Sequence, residues 1–116
     1  MKKILLVDDE ESIQLLYHEE FEEEGYRVIS AMNGEEALEK FNNDPPDLVI
    51  LDIQMPGMNG IEVLRQMKMI NEDIPVILSS AYHEYKQDLS SWASDEYVVK
   101  SADLDELKKA VRKFIG

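Results

Sequence analysis

Five short apolar runs, separated by longer segments of helical period, restrict most strongly how this chain of 116 residues can fold. The runs are rich in β-branched residues and bounded by turn-forming or acidic residues, which favours strands over buried helices. They comprise Lys3 to Val7, Tyr26 to Ala31, Leu48 to Leu51, Val76 to Leu78 and Tyr97 to Val99. Strands that alternate with helices are typical of a parallel sheet with helices on both faces, because parallel strands need long crossover connections.

The segments between and after these runs carry apolar residues at helical spacing. The predicted inner faces comprise Ile13, Leu16, Tyr17 and Phe21; Ala37, Leu38 and Phe41; Ile61, Leu64, Met67 and Ile70; Tyr85, Leu89 and Trp92; and Leu104, Leu107, Val111, Phe114 and Ile115. Gly25 and the sequence Asp44-Pro45-Pro46 predict the ends of the first two helices. Asp103, with Glu106 three residues later, is close to a capping box and predicts where the last helix begins.

The polarity of the runs also predicts the order of the strands. The first run from Ile4 onward and the whole of the third and fourth runs are continuously apolar, as strands buried at the centre of a sheet should be. The second run contains Arg27 and Ser30, and the fifth is flanked by Glu96 and Lys100, so these two runs fit the edges. This pattern predicts an α/β fold of the flavodoxin-like type, a (βα)5 doubly wound parallel sheet of five strands in the order 2-1-3-4-5.

Composition excludes several classes of function. The formal net charge of -13 would repel nucleic acids and anionic membranes, so direct binding to nucleic acid is not expected. The absence of cysteine excludes disulfides and thiol chemistry. No stretch approaches the roughly 20 apolar residues of a membrane span, and the apolar N-terminal run is too short for a signal peptide. We therefore expect no membrane insertion, a cytoplasmic location, and a single domain over residues 1–116 without an output domain.

Polar residues lie where the predicted strands end, which is where open parallel sheets bind ligands. The first strand ends in Asp8-Asp9, the third in Asp52, the fourth in Ser79-Ser80 and the fifth in Lys100. A single aspartate in such a place can cap a helix, and that reading stays open for Asp9. Three converging carboxylates raise one another's pKa unless a cation offsets them. Their hard oxygen atoms suit Mg2+ or Mn2+ better than zinc.

The chain resembles the receiver domains of response regulators over nearly its whole length. The matching blocks are Ile4-Leu5-Leu6-Val7-Asp8-Asp9-Glu10, Asp47 to Gly60, Pro75 to Tyr82 and Tyr97-Val98-Val99-Lys100. Within the second block, the acceptor-type Asp52 followed by Met55-Pro56-Gly57 and Asn59-Gly60 is the most specific signal. The resemblance implies a stand-alone receiver of a two-component or phosphorelay system. It would catalyse its own phosphorylation and dephosphorylation without turnover of a separate substrate.

The resemblance also implies a role for each site residue. Asp52 would be the phosphoacceptor. Asp9 directly, Asp8 through water, Asp52 and the backbone carbonyl of Gln54 would hold Mg2+, while Lys100 and Ser80 would bind phosphoryl oxygens. Ser80 and Tyr97 would form the switch that alters the face of the fourth helical segment, fifth strand and last helix. The partners would be a sensor histidine kinase or a histidine phosphotransfer protein, and an unidentified downstream protein.

Two departures and three alternatives accompany this interpretation. Receiver domains usually have proline after the lysine, but Ser101 stands here, so we expect a trans bond with an altered loop or a strained cis bond. The fourth helical segment, 83–92, is short and rich in serine. A flavodoxin would need a Ser/Thr/Gly-rich phosphate loop after the first strand, where this chain has Asp8-Asp9-Glu10. An aspartate phosphatase would place its nucleophile there and a second aspartate two residues later, a spacing that Glu10 and Glu11 do not match. A degenerate receiver that acts without phosphorylation is the remaining alternative.

Overall fold

A computed structural model of the chain describes residues 1–81, 94–101 and 103–116. Its five parallel strands form one sheet in the order β2-β1-β3-β4-β5. Their bounds are β1 Lys3–Val7, β2 Arg27–Ala31, β3 Leu48–Asp52, β4 Val76–Ser80 and β5 Glu96–Val99. The predicted flavodoxin-like fold and strand order are therefore confirmed. The largest difference from the predicted bounds is at β4, which extends through Ser79 and Ser80.

Four helices flank the sheet within the described part of the chain. They are α1 Glu11–Glu23, α2 Gly34–Asn43, α3 Gly60–Ile70 and the C-terminal helix Asp105–Ile115. The predicted fourth helical segment, with Tyr85, Leu89 and Trp92, lies outside the described residues. Among the helices that are described, none is long and apolar enough to cross a membrane.

Side chains alternate between the two faces of the sheet, and each face has its own buried core. On one face the strands pack against α2 and α3, through residues that include Leu5, Val49, Leu51, Ala37, Phe41, Leu64 and Met67. On the other face they pack against α1 and the C-terminal helix, through residues that include Ile4, Leu6, Ile50, Tyr17, Phe21, Leu107 and Val111. Two covered faces explain why the central strands are apolar apart from residues at their ends.

Three details of the helices differ from the prediction. Leu16 and Ile70, both predicted to be core residues, are exposed, and Gln14 and Val63 are buried in their helices instead. In α1 the buried side is set by Gln14, Tyr17 and Phe21, three and four residues apart. The predicted capping box is also wrong. The residue that precedes the C-terminal helix is Leu104, and the Asp103 carboxylate accepts a hydrogen bond from the Asp105 backbone N–H at 2.9 Å.

Candidate functional site

Three carboxylates converge at the carboxyl edge of the sheet. Because Val7 lies beside Leu51 in the register of β1 and β3, the next residues along, Asp8 and Asp52, are neighbours on the α1 face. Both are buried, whereas Asp9 is exposed. One oxygen from each of the three carboxylates can be chosen so that all lie within 4.8 Å of one another. The three predicted metal ligands are therefore together in space, close enough to share one cation.

Lys100 supplies a positive charge to this cluster from the end of β5. Its ammonium Nζ donates a hydrogen bond to Asp8 Oδ2 at 2.7 Å and lies 3.4 Å from Asp52 Oδ1. The Lys100 backbone N–H also donates to the carbonyl of Ser80 at 2.6 Å, which ties β5 to the end of β4. The sequence placed Lys100 at the site, but it did not indicate that Asp8 is its nearer partner.

Burial and charge perturb the titration of this cluster. Burial raises the pKa of Asp52 from 3.8 to about 6; Lys100 opposes the rise and Asp8 adds to it. Burial acts to lower the pKa of Lys100, but its hydrogen bond to Asp8 and the charge of Asp52 outweigh that effect and raise it. Lys100 is therefore charged, and the site has more negative charge than one ammonium group can offset.

A small pocket opens directly above Asp52. Its volume is about 100 Å³, and it is lined by Glu10, Asp52, Gln54, Ser80, Ala81 and Lys100. Four predicted site residues thus share one cavity of a size suited to a small anion. Tyr97, the predicted switch residue, does not line this pocket. It lies beside Leu78 in the neighbouring strand and packs, partly buried, against the α2 and α3 side of the core.

The loop that follows the acceptor is closed by a hydrogen bond across its base. The Gly60 backbone N–H donates to the carbonyl of Ile53 at 2.8 Å. Gly57, in the turn of this loop, has φ +81, a left-handed conformation that glycine adopts without strain. Asn59 caps the start of α3, because its side-chain oxygen accepts a hydrogen bond from the Ile61 backbone N–H. These contacts hold Gln54 in the wall of the pocket.

The peptide bond between Lys100 and Ser101, where receiver domains usually have proline, is trans, because no peptide bond among the described residues is cis. The Ser101 hydroxyl accepts a hydrogen bond from the Asp103 backbone N–H at 3.0 Å. A local turn thus leads into the C-terminal helix. Tyr82, which ends the third block that matches receiver domains, lies outside the described residues.

The sequence analysis missed Gln14, whose buried amide group contacts the backbone beside the cluster. The Gln14 side-chain amide lies 3.0 to 3.2 Å from the carbonyl oxygens of Leu6, Asp8 and Ala31, which joins α1 to the ends of β1 and β2. Tyr17 and Ser79 are buried beside the cluster. Gln14 could have been found from its spacing. It lies three residues before Tyr17 and seven before Phe21, which places it on the same buried side of the helix.

The doubly wound sheet, with a buried aspartate beside a lysine and two further carboxylates within reach at its carboxyl edge, has the architecture of an α/β receiver domain. The chain belongs to the response regulator receiver domain family, whose sequence pattern matches residues 4–112. That match spans every element of the sheet and all the residues that converge on Asp52.

Similar proteins of known name are consistent with this family. The chain is 42% identical over 116 residues to sporulation initiation phosphotransferase F of Bacillus subtilis, covering 98% of this chain and 94% of that protein. It is 38% identical to the alkaline phosphatase synthesis transcriptional regulatory protein PhoP of the same organism. In that case the alignment covers 98% of this chain but only 48% of the relative, so the chain spans about half of PhoP.

Solved structures extend the similarity to the whole fold. The response regulator protein TrrA of Thermotoga maritima, in complex with Mg2+-BeF, is 55% identical with a TM-score of 0.95, covering 99% of this chain and 100% of that one. TrrA in complex with the histidine kinase ThkA is 53% identical with a TM-score of 0.93, covering 100% of both chains. At these identities the likeness extends beyond the fold to the family.

Proposed function

We propose that this receiver accepts a phosphoryl group on Asp52 from a phosphohistidine of a partner protein, with Mg2+ bound at Asp8, Asp9 and Asp52. One observation carries the proposal: Asp52 is only 6% exposed, yet it opens into the pocket beside Lys100 and within reach of two other carboxylates. A buried aspartate with a raised pKa has no evident packing role in an otherwise apolar strand. Its position fits a nucleophile whose orientation is fixed and which is partly shielded from water.

The cluster fits the proposed metal by its donor chemistry. All three side chains offer hard oxygen atoms, and the exposed Asp9 leaves room for the waters that Mg2+ retains. The Gln54 backbone carbonyl, from the loop that lines the pocket, would complete the ligands supplied by the protein. When bound, Mg2+ would offset negative charge on the phosphoryl oxygens. The relative TrrA, whose structure contains Mg2+-BeF, supports this choice of metal.

The chemistry of transfer follows from the contacts of the chain's own residues. An Asp52 carboxylate oxygen attacks phosphorus and forms an acyl phosphate, while the phosphorus–nitrogen bond of the donor breaks. The bonding electron pair leaves on the imidazole nitrogen, which then takes a proton from solvent. Lys100 Nζ, already 3.4 Å from Asp52 Oδ1, would contact one phosphoryl oxygen. Ser80, in the wall of the pocket, would donate its hydroxyl hydrogen to another.

The same two residues give the proposed switch a route into the fold. Ser80 and Lys100 are joined by a backbone hydrogen bond, and β4 and β5 are paired from Ile77 to Ser80. A pull on Ser80 by the phosphoryl group would therefore act on β5, which carries Tyr97. We propose that Tyr97 changes its packing in response and alters the face formed with the C-terminal helix.

Incubation with phosphoramidate and Mg2+, followed by intact-mass measurement, tests the acceptor. We expect the wild-type protein to gain the mass of one phosphoryl group and to lose it on treatment with hydroxylamine, which cleaves acyl phosphates. Asp52→Asn should show no gain, because its amide is not a nucleophile at phosphorus. Removal of Mg2+ with EDTA should slow the reaction at least about tenfold.

Asp73→Asn is the matched control for this experiment, because Asp73 is exposed in the loop before β4, at the edge of the sheet opposite the site. It should be phosphorylated like the wild-type protein. A mass gain that persists in Asp52→Asn would place the phosphoryl group elsewhere. No gain in the wild-type protein would favour the degenerate receiver.

The exposed apolar side of α1 is the proposed docking surface for the histidine kinase. Leu15 is 70% exposed although it lies in a helix that begins two residues after Asp9. A shallow groove of about 680 Å³ runs along this helix and is lined by Glu11, Gln14, Leu15, His18, Glu19, Glu22 and Ser30. An exposed leucine in the helix that follows Asp9 would let a partner bury apolar surface while presenting its histidine to Asp52.

Leu15→Glu tests that surface. Transfer from a phosphorylated histidine kinase core that acts on the wild-type protein should slow at least about tenfold, because the glutamate would be desolvated in the interface. Phosphorylation by phosphoramidate should stay unchanged. Met69→Glu, at a side chain that is 85% exposed on α3, is the control and should affect neither reaction. Equal slowing with both donors would contradict a docking role for Leu15.

A further inference from the structure

Two buried hydroxyl groups that the proposed chemistry does not use lie on the same face as the acceptor. In the β3–β4 register Asp52 lies beside Ser79, so Asp8, Asp52 and Ser79 form a row across three neighbouring strands. Strand alternation points all three toward α1, and Tyr17 is one of the residues that α1 buries in the core on that face. Tyr17 and Ser79 are each 2% exposed.

The side chain of Lys100 must pass over Ser79 to make its contacts. Lys100 follows β5, but its ammonium group binds Asp8 and approaches Asp52, which end β1 and β3. The strand between β5 and β3 is β4. In the register Ser79 lies beside Val98, two residues before Lys100 and on the same face. Ser79 therefore lies beneath the path of the lysine.

The Tyr17 hydroxyl lies in the same polar neighbourhood. Burial raises the pKa of Tyr17, while the Lys100 ammonium group and a hydrogen bond with the Ser79 hydroxyl that falls short of normal geometry oppose that rise. The Ser79 Oγ is completely buried and makes no hydrogen bond of normal geometry with any described residue. A buried hydroxyl without a well-formed hydrogen bond destabilises a fold. Its presence in a tightly packed strand therefore indicates that Ser79 gains a hydrogen-bond partner in another state of the protein.

We infer that the hydroxyls of Tyr17 and Ser79 position the Lys100 ammonium group after it leaves Asp8. This inference rests on the proposed function, in which a divalent cation competes with Lys100 for the Asp8 carboxylate. The ammonium group has three hydrogen atoms to donate, and only one is needed for a phosphoryl oxygen. Hydroxyl oxygens accept the others without a negative charge, so they hold the lysine in place without drawing it away from the phosphoryl group.

Variants that remove only the hydroxyls test this inference. At saturating phosphoramidate and Mg2+, Tyr17→Phe and Ser79→Ala should each lower the maximal phosphorylation rate about fivefold, because Lys100 loses its alignment. The phosphoramidate concentration at half-maximal rate and the Mg2+ affinity measured by calorimetry should stay unchanged, since neither hydroxyl is a metal ligand. Ser79→Ala should at the same time leave the melting temperature unchanged or raise it, because it removes an unpaired buried group.

The double variant and a matched control separate positioning from packing. If both hydroxyls act on the same ammonium group, the double variant should be within about twofold of the slower single variant. Tyr26→Phe removes the hydroxyl of another tyrosine in the same core cluster, beyond the end of α1 away from the site, and should react like the wild-type protein.

Two results would overturn the inference while leaving the proposed function intact. One is wild-type rates in both Tyr17→Phe and Ser79→Ala. The other is parallel loss of rate and melting temperature in Tyr17→Phe and Tyr26→Phe, which would reflect core packing. Failure of the wild-type protein to take up phosphoryl would instead overturn the proposed function, and this inference with it.

Discussion

Replacing Gly60 with alanine is expected to destabilise the domain by more than about 3 kcal/mol and to abolish phosphorylation. A Cβ atom on Gly60 would lie 2.1 Å from the carbonyl oxygen of Asp52 and 2.7 Å from Ile53 Cα. Both are backbone atoms, so no side-chain rotation can relieve the clash. The first residue of α3 is therefore packed against the peptide that carries the acceptor, and any relief must displace Asp52 from Lys100.

Gly25→Ala is the control for the general effect of losing a glycine. Gly25 has φ +96 but nothing lies within 4 Å of the position where its Cβ would be, so the substitution adds conformational strain without a clash. It should lower stability by about 1–2 kcal/mol and leave phosphorylation by phosphoramidate intact. Urea denaturation gives the stabilities, and intact mass gives the phosphorylation. A similar small loss in both variants would show that the loop can move away from Gly60 freely.

The fold and the composition of the site followed from the sequence because both depend on strand ends. Continuous apolar runs identified the central strands, and the ends of neighbouring parallel strands must lie at one edge of the sheet. Asp8 and Asp52 are adjacent for that reason alone. The motif after Asp52 then distinguished a receiver from other folds with the same sheet. The roles of Ser80, Tyr97 and the Gln54 carbonyl remain predictions.

The buried side of α1 and the partner of Lys100 could not be predicted, because they depend on distances and on the rotation of a helix about its axis, which the spacing of apolar residues does not specify. Leu16 fits an apolar stripe and Gln14 does not. The helix nevertheless turns Gln14 inward, because three backbone carbonyls lie within reach of its side-chain amide. The choice of Asp8 over Asp52 as the nearer partner of Lys100 depends on a difference of less than 1 Å. Differences of that size follow from packing, which the sequence pattern does not contain.

Asp52→Asn is expected to stabilise the protein at pH 7 in the absence of divalent metal. The folded-state pKa of Asp52 is raised from 3.8 to about 6, chiefly by burial, so ionisation at neutral pH opposes folding. The difference corresponds to an upper limit of about 3 kcal/mol, at roughly 1.4 kcal/mol for each pKa unit. Because asparagine also weakens the contact with Lys100, we expect a gain of about 1–3 kcal/mol in the free energy of unfolding.

The dependence on pH and Mg2+ identifies the cause of that gain. A raised carboxyl pKa favours the folded state below pH 3.8, and this contribution is lost as the pH rises through about 6. The advantage of Asp52→Asn should therefore be greatest above pH 6 and small near pH 4, in urea titrations with EDTA. Added Mg2+ should stabilise the wild-type protein progressively and the variant much less, since binding to the folded state alone raises stability with ligand concentration. An advantage that is constant over pH, or a variant that gains as much from Mg2+ as the wild-type protein, would rule out the buried charge as its source.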